Sequence, residues 1–222
     1  MKTKTETTAD RRKETFKYLE EESLCDCDSE LKQILKSRVD DGKQTIADLQ
    51  ASHALPAGTT YFDKLLDFGG MPAVGKKALD DRLLLRRDWF SGTLDALQDT
   101  ELVFFDPDTG MEIPSMKRHR ADGPKYVWYD ELKPFFGRGQ SLVVYQHGDH
   151  SKAEQAIKQR ASELRDTLKC EQIWIVRWHR RQSRFYFIIP VDEHIARMEK
   201  AIGCLQASSW CQDGHFSVSA VS

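Results

Sequence analysis

The chain has 222 residues, with 33 Lys and Arg against 35 Asp and Glu, a formal charge of −2 and a pI near 6.4. This length suits one large domain or a domain with an appendage, and 40% apolar with 31% charged residues supports a packed core over wholesale disorder. No run approaches the roughly 20 apolar residues of a membrane helix, and the near-neutral balance argues against a nucleic-acid coat protein while leaving room for a local basic groove.

Five cysteines, Cys25, Cys27, Cys170, Cys204 and Cys211, are odd in number and scattered. Cys25-Asp26-Cys27 is too tight for a zinc knuckle, and no second pair follows it. With no signal-like apolar segment at the N-terminus, the expectation is a reduced, cytoplasmic protein that does not associate with membranes.

Residues 1–78 read as a polar, mainly helical region and residues 79–222 as an α/β core. Thr7 to Glu22 is charge-dense, Leu31, Ile34 and Leu35 recur at helical spacing, and Thr45 to Gln50 reads as a short helix. Gly69-Gly70, Pro72 and Gly75 mark a loop, after which a helix is expected near Ala78. Its core stripe is expected at Leu83, Leu84, Trp89, Phe90, Leu94 and Leu97.

Four apolar runs then read as strands: Leu102 to Phe105, Ser141 to Tyr145, Ile173 to Val176 and Phe185 to Ile189. Continuous runs of this kind suit strands covered on both faces of a mostly parallel sheet. Helices are expected over Tyr129 to Phe136, Lys152 to Lys169 and Glu193 to Leu205. The polar stretch His179 to Arg184 predicts an antiparallel hairpin at the sheet's end, and Phe216 to Val221 a last edge strand.

The chemistry-bearing cluster is Asp106-Pro107-Asp108-Thr109-Gly110-Met111-Glu112, directly after the first strand. In an open parallel sheet, ligands sit beyond the carboxyl ends of strands. Asp106 and Asp108 are therefore candidate catalytic residues, although Asp, Pro and Gly are also ordinary turn chemistry. The second strand ends in Tyr145-Gln146-His147-Gly148-Asp149-His150, and if the two strands run parallel, His147 emerges beside Asp106. An imidazole there suits proton transfer near neutral pH, or simply caps a turn.

Pro107, Lys125, Tyr126 and Tyr145 are candidate substrate contacts, with the aromatics of Lys125 to Tyr129 readable either as a stacking platform or as core. Arg177, Arg180, Arg181 and Arg184 could contact nucleic-acid phosphates, or form a solvated hairpin tip. The letters Pro107-Asp108 and Glu131-Leu132-Lys133 also match a metal-nuclease pattern, in which carboxylates hold Mg²⁺. Glu131 and Lys133, however, sit in a segment that reads as helix.

The stretch Arg87 to His147 resembles an uncharacterised bacterial and phage family with an S-adenosylmethionine-dependent methyltransferase-like fold. Trp89-Phe90, Leu102 to Glu112, Lys125 to Val127 and Ser141 to His147 carry the resemblance, which covers roughly the last three-fifths of the chain. It implies a Rossmann-like sheet and S-adenosylmethionine as cofactor. Asp106-Pro107 is similar in placement to the Asp-Pro-Pro-Tyr motif of exocyclic-amine methyltransferases, where the Asp holds the target amine; Asp108 and Thr109 stand where that motif has Pro and Tyr. The family's apolar first strand and glycine-bearing turn have no counterpart before Asp106. The cofactor half is thus expected to be missing or replaced, through a shortened reading frame or in a degenerate, non-catalytic relative. The functional expectations are a methyltransferase-like enzyme, a non-catalytic interaction module on the same fold, and the Mg²⁺ nuclease.

Overall fold

Asp28 accepts from the Leu31 backbone N–H at 2.8 Å and opens α1 (Ser29–Asp40), while Thr45 and Asp48 cap α2 (Ile46–Ala51) reciprocally. Both helices fall where the sequence places them, and neither has a fully buried residue. The computed structural model describes Leu19 and residues 28–42, 45–148, 153–179 and 184–221. The helix expected over Thr7 to Glu22 lies outside these residues apart from Leu19, as do Cys25, Cys27, Asp149, His150, Arg180 and Arg181.

Gly75, at a φ of 99° open to glycine, leads into α3 (Lys76–Ala96). The end of this helix behaves as expected: Phe90, Leu94 and the following Leu97 pack on the main core. Its first half does not. Leu83 and Leu84 are exposed, and Arg82 and Arg86 take the buried positions. The reason is what α3 faces there. Arg82 donates to the carbonyls of His119 and Met71 at 2.9 and 3.0 Å, and Arg86 to those of Gly123 and Tyr126. Leucine at either position would leave carbonyls without donors.

The chain continues through β1 (Leu102–Phe105), the short β2 (Gly110–Met111) and β3 (Tyr126–Val127), α4 (Tyr129–Gly137), β4 (Ser141–His147) and α5 (Ala153–Leu168). It then forms β5 (Ile173–Trp178), β6 (Arg184–Ile189), α6 (Ile195–Ala207), α7 (Ser209–Gln212) and β7 (Phe216–Val221). Every expected strand is present. β2 and β3 pair separately in parallel, and the other five strands make one sheet in the order β1-β4-β6-β5-β7.

The fold is α/β, but the expected mostly parallel, Rossmann-like sheet is corrected to a mixed one that is mostly antiparallel. Within the five-stranded sheet of the described residues only β1 and β4 run parallel; β4–β6, β5–β6 and β5–β7 are all antiparallel. The hairpin after β5 is the cause. It exists as expected, yet it does not end the sheet, because β6 inserts between β4 and β5 and opposes both. β7 then closes the far edge. Continuous apolar runs report coverage on two faces, and strand direction is a separate property set by the connections.

One face of the sheet buries Val103, Leu142, Val144, Ile175 and Phe187 against Leu132 and Phe135 of α4 and Ile157, Ala161 and Leu164 of α5. On the other face α6 seats Ile202 on Trp174 and Val176, covering the β5–β7 half. Among the described residues no helix covers the β1 end of that face, and Leu102 is 46% and Phe104 55% exposed where two-sided coverage was expected. Among the described residues no helix is long and apolar enough to cross a membrane.

Candidate functional site

Asp106 is the first residue beyond β1. The parallel register pairs Phe105 with Val144, so Asp106 and the Tyr145–His147 end of β4 share one rim. Side chains alternate across a strand, which puts Phe104, Tyr145 and His147 on the open face. From β6 the antiparallel register brings Tyr186 opposite Tyr145 and Arg184 opposite His147. The Tyr145 and Tyr186 rings lie 5.7 Å apart, Phe104 and Tyr186 6.4 Å, and the Tyr145 hydroxyl is 3.0 Å from His147 Nδ1.

The electrostatics tie these groups together. Partial burial, then the negative charge of Asp108, pushes the Asp106 carboxyl above the usual carboxylate range, while Arg184 pulls it back. Burial also raises the phenols of Tyr145 and Tyr186, with Arg184 opposing and Asp106 adding to the rise in both. One carboxylate, one guanidinium, two phenols and an imidazole thus face a common surface. Such a surface can accept from an amine or hydroxyl at Asp106 and hold an anionic group at Arg184.

The turn that carries Asp106 is held by a residue the sequence reading passed over. Gln146 turns its amide inward, accepts from Met111 N–H at 2.9 Å and donates to the His147 carbonyl at 2.9 Å. Gly110, at φ 128°, sits directly against it; a Cβ there would lie 2.5 Å from the amide. The signal was present in the alternation of β4. Leu142, Val144 and Gln146 share the buried face, and a glutamine in that series needs partners.

The remaining candidates fall into other surroundings. Pro107 is half-buried in the same turn. Lys125 is exposed, and its ammonium lies 2.8 Å from Asp122, which is the main reason its pKa is raised; Asp108 contributes less. Thr109 N–H donates to the Lys125 carbonyl at 3.1 Å, and the Tyr126 carbonyl accepts from Arg86 at 2.8 Å. Lys125 and Tyr126 are thereby tied into the β2–β3 side.

Of the basic hairpin, Arg184 stands at the rim, whereas Arg177 stacks 5.4 Å from the ring of Phe185, a residue of the helix-covered core. The two arginines sit on opposite faces; Arg180 and Arg181 lie outside the described residues. Of the nuclease letters, Glu131 is already engaged. Glu131 is on α4, 6% exposed, with both oxygens bound by Arg86 at 2.6 and 2.7 Å. Among the described residues no three His, Cys, Asp or Glu side chains are grouped to hold a metal ion.

Comparison with protein-family models, curated proteins and solved structures finds no match for this chain.

Proposed function

We propose that the chain is a methyltransferase-like protein whose Asp106 rim holds an amine of a nucleic acid or a small molecule. The observation that carries this reading is the rim itself, with Asp106 at the carboxyl end of β1 and Tyr145 and His147 at the end of its parallel neighbour. Asp106 accepts from the amine N–H, and Arg184 takes an adjoining anionic group such as a phosphate. His147 assists proton removal at Nε2. For that, Nδ1–H must donate to the Tyr145 oxygen, which selects the tautomer.

S-adenosylmethionine, which the resemblance implies, needs an apolar strand ending in a glycine-bearing turn against its methionine and ribose. Among the described residues before Asp106 there is no strand besides β1. These residues do not fit that cofactor, and what the rim supplies is substrate positioning. The test is titration calorimetry of the full chain with S-adenosylmethionine, followed by a methyl-transfer assay on wild type and Asp106→Asn. Methyl transfer that is lost in Asp106→Asn upholds the enzyme reading; no heat at about 1 mM cofactor overturns it.

A non-catalytic interaction module is the second reading, and the open β1 edge favours it. Leu102 and Phe104 expose apolar surface on a strand that, among the described residues, is paired on one side alone. On that reading Asp106→Ala leaves the protein's biological effect unchanged.

A further inference from the structure

The sheet face that carries Tyr145 and His147 holds more rings at this end than the chemistry of Asp106 uses. Residues directly opposed on neighbouring strands share a face. Arg184 of β6 stands between His147 of β4 and Trp178 of β5, and Trp178 stands opposite Phe216 of β7. One row further in, Tyr145 of β4 opposes Tyr186 of β6, and the Phe104 ring of β1 lies 6.4 Å from that of Tyr186. All five strands thus place an aromatic ring at one end of one face.

These rings are not closed into a core. Phe104 is 55% exposed, and Tyr145, Tyr186 and Trp178 are half-buried. Among the described residues α6 seats Ile202 on Trp174 and Val176, deeper along β5 than Trp178. Trp178 is buttressed from the β7 side, where Phe216 meets it edge-on at 4.7 Å and Trp210 stacks on Phe216 at 5.2 Å. Arg184, between His147 and Trp178, is exposed. A cation set among ring faces fits a polyanion that also brings flat apolar groups, and a nucleic acid brings both. An apolar protein surface seated here would strip water from Arg184 without offering it an anion.

We infer that this aromatic face binds a single-stranded nucleic acid, with bases stacked on Phe104, the Tyr145–Tyr186 pair and Trp178, and a phosphate held by Arg184. Duplex pairing hides the base faces, so the strand must be single. Asp106 and Asp108, at the β1 end, repel phosphate, which sets the backbone on the Arg184 side and the bases toward β1. Stacking and phosphate contact need no 2′-hydroxyl, so DNA and RNA share this chemistry. The inference rests on the reading above for its site, the Asp106 rim, and deepens it by naming the polymer; binding itself requires no cofactor and no methyl transfer.

The test is fluorescence anisotropy of the full chain titrated into labelled oligonucleotides of about 12 nucleotides, as single-stranded DNA, single-stranded RNA and the matching DNA duplex. Saturable binding of a single strand below about 100 μM is expected, with the duplex at least about tenfold weaker. Phe104→Ala should weaken the single strand about tenfold, and Phe104→Leu, which keeps apolar bulk without a ring face, should not restore it. Arg184→Ala should flatten the logarithmic salt dependence by about 0.7, one phosphate on a single strand. No binding of either single strand at about 100 μM, a duplex bound as tightly, or wild-type affinity in Phe104→Leu overturns the inference. Those results leave a small-molecule amine at Asp106 standing, and a chain that gives no heat with S-adenosylmethionine can still bind the strand, so the two failures are told apart.

Discussion

Arg86 and Glu131, 45 residues apart in the chain, meet in a buried two-pronged ion pair, Nε to Oε1 at 2.6 Å and Nη2 to Oε2 at 2.7 Å. The same guanidinium reaches the carbonyls of Gly123 and Tyr126, and Glu131 also accepts from Trp128 N–H. One side chain of α3 thus clamps the start of α4 and the segment leading into β3.

Removing one partner strands the other charge away from water. Arg86→Ala is expected to cost about 3–5 kcal/mol, read as a lower urea midpoint. Glu131→Gln should cost less, because the amide keeps an acceptor for Arg86. Equal stability of Arg86→Ala and wild type would show that the pair does not clamp these segments.

Gly110 and Gln146 give a second stability prediction. Gly110→Ala drives a methyl into the Gln146 amide at a φ that L residues rarely adopt, and should cost about 1–3 kcal/mol. Shortening Gln146 to Ala in the same chain relieves the collision and leaves the backbone strain. The double variant should therefore lose less than the sum of the singles in denaturant titrations.

The two faces of the sheet differ in coverage, and charge insertion should report it. Val103 is 4% exposed on the helix-covered face, and Val103→Asp should cost several kcal/mol, roughly enough to unfold a marginal domain. Val143 is only half-buried on the opposite face. Val143→Asp should lower the melting temperature distinctly less.

Asp106 links stability to pH. Its carboxyl titrates above the ordinary range in the folded chain, so between its unfolded and folded pKa the native state binds more protons, and stability falls as pH rises through that window. Asp106→Asn removes this loss. The variant should match wild type in acid, below both pKa values, and melt at the same or a higher temperature at neutral pH. A melting temperature that drops at neutral pH would show the carboxylate to be a structural cap of its turn.

The sequence by itself determined the elements, since apolar runs with Pro and Gly boundaries are local signals: β1 and β7 lie where expected, and α4, α5 and α6 are close to it. It also placed Asp106 and His147 at strand ends, and the parallel pairing of β1 with β4 brings those ends to one rim. Tertiary structure alone decided the rest. The insertion of β6 between β4 and β5, the burial of Arg82 and Arg86 in place of Leu83 and Leu84, and the inward Gln146 each depend on partners far away in the chain. Local periodicity reports that a side chain can be buried; which groups wait on the other side, carbonyl, carboxylate or methyl, is set only once distant segments meet.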